Sequence, residues 1–166
     1  MNSNKNLFSE SYLAYACIRG LNEAIETDIK NIIKVYDSNF PKFRQLWILY
    51  FEKSMNMSEL TFLAQTNMSN VFRQLTKLKE EGLVTIHNEE DARIKNLSLT
   101  EEGKNVIANF INENCQTSEL KIVREAEKIP KDDFDTFLKV AKILTSQIVD
   151  DKFTKWVVKT AEKIKE

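Results

Sequence analysis

The sequence predicts a mainly α-helical protein with one small β-hairpin. Only three Gly and two Pro occur among its 166 residues, so few positions interrupt a helix. Apolar residues recur at three- and four-residue intervals through most of the chain, which is the spacing of one helical face. Two short β-prone runs, "LVTIH" and "NLSL", flank a polar segment and predict the hairpin.

Two helices are predicted in the amino-terminal third. The segment "DSNFPKF" separates them, because Pro41 disfavours helix at Phe40 and suits the first turn of the next helix. That second helix, "PKFRQLWILYFEKS", is apolar through its middle, so we expect it to be buried. The first helix runs from about Ser9 to Tyr36, with an apolar stripe formed by Ile18, Leu21, Ile25, Ile29 and Ile32.

A third and a fourth helix follow, with a short polar connection between them. "NMSELTFLA" opens the third helix, with Ser58 as its N-cap and Glu59 favourably placed in the first turn. Since the connection "AQTN" is so short, the fourth helix, which begins near Met68, must turn sharply away from the third. Gly82 marks the end of the fourth helix.

The region after the hairpin is also predicted to be helical. Thr100 caps a fifth helix, which is expected to run to about Ile129, where Pro130 imposes a break. The last helix opens in "KDDFDTFLKVAKILTSQIV". Its apolar stripe comprises Phe134, Leu138, Ala141, Leu144 and Ile148, continued less regularly by Phe153, Trp156, Val157 and Ile164.

The fourth helix has two chemically different faces. At about 100° per residue, four apolar residues fall within about 80° of one another and should face a core: Met68, Val71, Leu75 and Leu78. The opposite side carries groups that can contact base edges and phosphates in a major groove: Ser69, Asn70, Arg73, Thr76 and Lys77. With a short helix and a sharp turn before it, this is the pattern of a helix-turn-helix recognition helix. Any surface helix has a polar face, however, so a purely structural interpretation stays open.

The predicted hairpin favours DNA recognition over that structural interpretation. A hairpin directly after a recognition helix is the wing of a winged helix, and Arg93 and Lys95 lie at its tip. A narrow, A·T-rich minor groove attracts an inserted Arg. Asp91, two residues before Arg93, can fix the guanidinium by a charge-assisted hydrogen bond.

These segments resemble the MarR-type winged-helix transcription regulators. The resemblance is carried by "SELTFLAQTNMSNVFRQLTKLKEEGLV", by the Asp91-x-Arg93 wing, and by "LSLTEEG", which looks like the family's hydrophobic-x-Leu-Thr-x-x-Gly signature. "LWILYFEKSMNMSELTFLAQTNMSNVF" is most similar to the Hpr (ScoC) branch. The match covers about 43–103, and the flanking helices agree only in length and order. The chain departs from many relatives in the turn, where the segment 65–67 contains no Gly.

The resemblance implies a transcriptional regulator, a repressor, that binds double-stranded DNA as a homodimer. A winged helix-turn-helix lobe at 41–103 would be flanked by long dimerisation helices at 1–40 and 104–166, which interlock between two chains. The two lobes would bind a pseudo-palindromic operator with half-sites about one DNA turn apart. The implied major-groove contacts are Ser69, Asn70, Arg73 and Lys77, with Arg93 in the minor groove and Thr76 and Lys95 as further contacts.

The residues themselves also favour a dimer. Three long amphipathic helices flank a small lobe and offer more apolar face than that lobe can cover. Net charge, by contrast, weighs against a general attraction to DNA: from 42 to 103 there are eight Lys and Arg against nine Asp and Glu. Glu89 and Glu90 weaken phosphate attraction at the base of the wing. Binding would therefore depend on local placement of cations.

The composition argues against an enzyme, a metal site and a cofactor. His87 is the only histidine, which excludes a multi-histidine site, and the glycines are too scattered for a phosphate-binding loop. Cys17 and Cys115 show no CxxC spacing and are expected to be buried, reduced thiols. No signal peptide or membrane span is recognised, so the expected location is the cytoplasm, on the nucleoid.

Two alternatives stay open at this point. The first is a winged-helix module that binds a protein partner through the same polar helix and does not read DNA. The second concerns a small-molecule effector, since many MarR-type proteins respond to aromatic ligands held between the dimer helices and the lobe. Residues that could line such a pocket, although aromatic stripes are more often core, are Tyr12, Tyr15, Trp47, Tyr50 and Phe51.

Overall fold

The computed structural model describes residues 3–88 and 95–166, which form helices on either side of a small sheet. The mainly α-helical prediction is confirmed. In chain order the elements are α1 (Ser3–Ile32), a 3-10 turn (Ile33–Tyr36), α2 (Phe40–Glu52), β1 (Ser54–Asn56), α3 (Met57–Ala64), α4 (Met68–Glu80), β2 (Val84–Asn88), β3 (Lys95–Leu99), α5 (Glu101–Gln116), α6 (Lys121–Ala126), α7 (Lys131–Ile148) and α8 (Asp151–Lys163).

The segment from α2 to β3 builds a winged-helix lobe around an apolar core. Helices α2, α3 and α4 pack together and against an antiparallel sheet of order β1-β3-β2. The central strand places the buried Leu97 opposite both Met55 of β1 and Ile86 of β2. Large side chains that are fully buried in this core include Leu46, Ile48, Leu49, Leu60, Leu75, Leu78, Leu97 and Ile107. Helix α5 closes this core through Ile107.

The sheet has a third strand, β1, that the sequence did not reveal. The predicted second helix extends to Ser54, whereas α2 ends at Glu52 because Lys53 adopts a positive φ of 64°. The three residues that follow pair with β3, and the Ser54 hydroxyl donates to Oδ1 of Asn96 at 2.5 Å. Strand β3 of the hairpin therefore pairs with β1 on one side and with β2 on the other.

Asparagine side chains begin the three helices of the lobe. Asn39, Asn56 and Asn67 each accept a hydrogen bond from the backbone N–H three residues further on, at the start of α2, α3 and α4. The prediction that Ser58 caps the third helix is wrong. Asn56 holds that place instead, in a reciprocal capping box with Glu59.

Helix α5 is shorter than predicted, since it ends at Gln116 rather than near Ile129. Beyond that end, side chains replace the helical hydrogen bonds. The Ser118 hydroxyl donates to Oδ1 of Asn114 and accepts from the backbone N–H of Leu120. Local bonds of this kind compete with helix continuation, and they separate α5 from α6.

Two boundaries on the carboxy-terminal side agree with the sequence, and one break there was not predicted. Thr100 caps α5, and α7 begins directly after Pro130, as predicted. The predicted last helix is divided in two, because Asp150 has an extended backbone and its side chain accepts hydrogen bonds at the start of α8. Helices α7 and α8 then pack against each other.

Helix α1 starts earlier than predicted, and most of it stands clear of the lobe. Of its apolar stripe, Ile29 and Ile32 pack against the core, whereas Ile18 and Leu21 are exposed. Cys17 and Cys115 are exposed as well, which corrects the expectation of buried thiols. The first lies on the uncovered part of α1, and the second near the end of α5.

Tyr36 links the turn after α1 to α5. Its phenol donates to Oε2 of Glu113 at 2.9 Å. Burial and, secondly, this bond to a carboxylate raise the pKa of Tyr36 to about 12. The folded protein therefore favours the neutral phenol over the phenolate.

We expect this raised pKa to appear as a pH dependence of stability. The contribution of Tyr36 is fully present below about pH 10, where the phenol is neutral in both states, and is lost as the pH rises through about 12. In urea unfolding, the advantage of the wild type over Tyr36→Phe should shrink across that range. A difference that stays constant between pH 8 and pH 12 would contradict this assignment.

Candidate nucleic-acid interface

Helix α4 is held in the lobe by one buried side. Val71, Leu75 and Leu78 are buried, as the sequence predicts, and Gln74 is buried beside them. The prediction that Met68 faces the core is wrong, because its side chain is 49% exposed. As the first residue of α4, it lies at the rim of the lobe rather than over the core.

The turn between α3 and α4 forms without a glycine. Gln65 takes the left-handed conformation, with a φ of 51°, and its side-chain amide donates to the backbone oxygen of Phe62 at 2.7 Å. Asn67 then accepts from the backbone N–H of Asn70 at 2.9 Å and caps α4. These bonds fix the direction in which α4 leaves the turn.

The other end of α4 is fixed by an ion pair that the sequence analysis did not detect. The ammonium of Lys42, a residue only 6% exposed, donates to both carboxylate oxygens of Glu81, at 2.7 and 2.9 Å. It also donates to the backbone oxygen of Asp37 at 3.2 Å. Glu81 directly follows α4, so this pair ties the end of α4 to the start of α2.

Removing the acidic partner should weaken this attachment. We expect Glu81→Ala to lower the free energy of unfolding by about 2 kcal/mol, because the buried Lys42 ammonium loses its counter-ion. Glu80→Ala is the matched control, since it removes the same group from the adjacent exposed position and should stay within about 0.5 kcal/mol of the wild type. Equal stabilities of the two variants in chemical denaturation would show that the pair contributes nothing.

The outer face of α4 carries the polar side chains that the sequence assigned to it. Residues Ser69, Arg73, Thr76 and Lys77 are exposed, and Asn70 is half-buried. The Thr76 hydroxyl donates to the backbone oxygen of Phe72 at 3.0 Å, so its proton is engaged within the helix. The structure therefore brings all five side chains onto one helix.

A chain of hydrogen bonds orients Arg73 on this face. Nη2 of Arg73 donates to Oδ1 of Asn70 at 2.9 Å, and Nδ2 of Asn70 donates to the Thr66 hydroxyl at 3.1 Å. The guanidinium has further N–H donors for a ligand. Sequence reasoning missed Thr66, which precedes the helix. The only signal for it was its four-residue spacing from Asn70.

The described part of the wing consists of its two strands. Asp91 and Arg93, the predicted wing residues, lie outside the described residues. Lys95 begins β3. The strands are joined by the backbone ladder and by a hydroxyl pair between Thr85 and Ser98 at 2.9 Å. The hairpin thus leaves the lobe directly after α4, as predicted.

The charges of α4 fit a local rather than a general attraction to anions. Arg73, Lys77 and Lys79 stand on this helix against one acid, Glu80. Within the ranges 3–88 and 95–166, no group of His, Cys, Asp or Glu side chains is arranged to hold a metal ion. The same ranges contain no helix whose length and apolarity would let it cross a membrane.

A cavity of about 350 Å³ lies beside the lobe, between α2, α5 and α8. Trp47 lines it, together with Phe43 and Arg44, and burial lowers the pKa of the Arg44 guanidinium. Tyr12 and Tyr15 lie exposed on α1, away from this cavity. Tyr50 and Phe51 pack near the core without lining it. We assign no effector to this space.

The lobe matches a known family at the level of sequence. Residues 39–95 match the family model described as MarR family. HTH-type transcriptional regulator Hpr from Geobacillus sp. (strain WCH70) is 32% identical over 90 residues, which cover 54% of this chain and 45% of that protein. DNA-binding transcriptional repressor ScoC from Bacillus subtilis (strain 168) is 30% identical over 96 residues, covering 57% and 47%. The chain thus spans about half the length of the curated relatives it matches.

Solved structures share the fold over a larger part of the chain. A mutant MarR from E. coli complexed with operator DNA superposes with a TM-score of 0.71 at 17% identity, covering 83% of this chain and 97% of that one. The S. aureus MepR–DNA complex gives a TM-score of 0.66 at 18% identity, covering 82% and 96%. At these identities the likeness shows the fold.

Proposed function

Because residues 39–95 form a MarR-family domain similar to that of the Hpr regulators, we propose that this protein is a sequence-specific, DNA-binding transcriptional repressor. The proposal rests on the outer face of α4, where hydrogen bonds from Thr66 through Asn70 orient the Arg73 guanidinium. Donors held in this way suit the base edges of a major groove. The name of the Bacillus subtilis relative supports repression. Such a protein acts in the cytoplasm, on the nucleoid.

In this proposal α4 enters the major groove and the wing reaches an adjacent minor groove. Arg93 is the minor-groove residue, Asp91 orients it, and Lys95 adds a cation at the same end of the hairpin. The major-groove set is Ser69, Asn70, Arg73, Thr76 and Lys77. The lobe at 41–103 carries these contacts, while 1–40 and 104–166 hold two chains together.

The uncovered apolar faces of α1 and α7 support a homodimer. In the single chain, both helices expose several large apolar side chains. Monomeric proteins normally expose such side chains singly, and larger apolar patches mark interaction surfaces. A second copy of the chain offers the same faces, so a two-fold arrangement can bury both sets. The exposed residues are Leu7, Phe8, Tyr12, Leu13, Tyr15, Ile18 and Leu21 on α1, and Phe137, Leu138, Val140, Ile143, Leu144 and Ile148 on α7.

Sedimentation equilibrium of the purified protein tests the dimer. The expected mass is twice the 19.3 kDa of one chain, independent of dilution through the micromolar range. A mass equal to one chain at these concentrations would contradict the homodimer and leave the pseudo-palindromic operator without support.

Binding to a random-sequence duplex pool tests the DNA-binding part of the proposal. Fluorescence anisotropy should give a nonspecific Kd of about 10⁻⁴ to 10⁻⁶ M near physiological salt, which weakens steadily as salt is raised. A protein-interaction module using the same helix is the alternative. Absence of duplex binding even at low salt would favour that module and contradict the proposed function.

A further inference from the structure

We propose that Phe72 and Met68 form an apolar reading patch on α4 that contacts thymine methyl groups in the major groove. The inference rests on the proposed function and goes beyond it, because it assigns base preference to two residues outside the polar set. It follows from the exposure of these two side chains. The sequence pattern predicts a core position for Met68 and gives no indication for Phe72.

The two side chains are both exposed, and they lie on the same flank of α4. Phe72 is 55% exposed and Met68 is 49% exposed, although both belong to the helix whose other apolar residues fill the core. They are four residues apart, so they stand one above the other on the same flank of α4. Arg73 follows Phe72 directly on the outer face, and Lys79 lies on the same flank two turns further along.

This position suits a base better than a protein. A stable protein interface takes about 20–30 residues on each side, and two side chains bordered by cations are far below that size. In the major groove, thymine alone presents a methyl group, and apolar side chains are its usual partners. Arg73 and Lys79 beside the patch are attracted to the phosphates and base edges around such a methyl group.

Uracil substitution in the operator tests the patch directly. After an operator has been selected with the wild type, each thymine of one half-site is replaced in turn by deoxyuridine, which removes only the methyl group. Wild-type affinity should fall about three- to fivefold at one or two positions, the effect expected for one buried methyl. Phe72→Ala should bind the thymine and uracil operators equally at one of those positions.

Phe72→Ala should fold normally, because the side chain is exposed and alanine favours a helix. Val35→Ala, which removes an exposed apolar residue outside the lobe, is the matched control and should keep the thymine preference. Equal wild-type affinity for every uracil operator would overturn the patch and leave the proposed function standing. A uracil effect that Phe72→Ala and Met68→Ala both retain in full would also overturn the patch, because another side chain would then contact the methyl group. No operator and no duplex binding would overturn both.

Discussion

Replacing Gly103 with alanine is expected to destabilise the protein by about 3 kcal/mol, near the upper end of the range for overpacking. A Cβ built at this position lies 2.2 Å from the backbone oxygen of Leu83, which cannot move like the end of a side chain. That oxygen already accepts from the backbone N–H of Thr100, and the Thr100 hydroxyl donates to the backbone oxygen of Gly82. Relief of the clash would separate α5 from the segment that ends α4.

Gly20→Ala provides the matched control for this prediction. An added Cβ at Gly20 meets nothing within 4 Å, and the residue lies in the exposed part of α1. Alanine should therefore leave stability unchanged or raise it by up to about 1 kcal/mol through helix propensity. Urea denaturation of both variants compares them directly. Wild-type stability for Gly103→Ala would contradict the close approach of α5 to the Leu83 backbone.

Arg73→Ala is expected to weaken binding to a selected operator by about 1–3 kcal/mol, roughly 5- to 150-fold. The reason is that the guanidinium stands on the outer face of α4 and is held by Asn70, so its remaining donors are available for a base edge. If Arg73 contacts a base, its removal should change sequence preference as well as affinity. Selection with the variant should show relaxed preference at one base pair of each half-site, whereas loss of a phosphate contact weakens all sequences alike.

Arg124→Ala is the control for the charge itself. It removes a guanidinium from the exposed face of α6, outside the proposed interface, and should bind the operator within about twofold of the wild type. Circular dichroism and sedimentation should show both variants folded and dimeric. Wild-type affinity and an unchanged base preference in Arg73→Ala would show that α4 reads DNA through other residues or not at all.

The sequence predicted the elements whose signals are local and repeated. The buried stripe of α4 follows from helical periodicity, and Thr100, Gly82 and Pro130 mark boundaries that the structure confirms. The strand β1 escaped prediction because three residues carry no period and its partner lies some forty positions away. The sequence does not predict the break between α5 and α6, because this break depends on hydrogen bonds of the Ser118 side chain rather than on Gly or Pro.

The candidate site was predictable in composition but not in geometry. Helical periodicity predicts that the polar residues share one face of α4. It does not predict how far the helix extends beyond the core, and so which of its end residues are exposed. Periodicity therefore predicts a core position for Met68, which the structure shows to be exposed, and predicts no role for the exposed Phe72. The bonds from Thr66 through Asn70 to Arg73, and the pair of Lys42 with Glu81, join residues whose proximity depends on the turn and on tertiary packing.

In the proposed function, two copies of this chain read a duplex sequence through α4 and the wing. Selection of the purified protein against a random duplex pool near physiological salt, with sequencing of the retained fraction, tests it most directly. We expect enrichment of an inverted repeat whose half-sites lie about ten base pairs apart. Retention that depends on salt but enriches no sequence would contradict it.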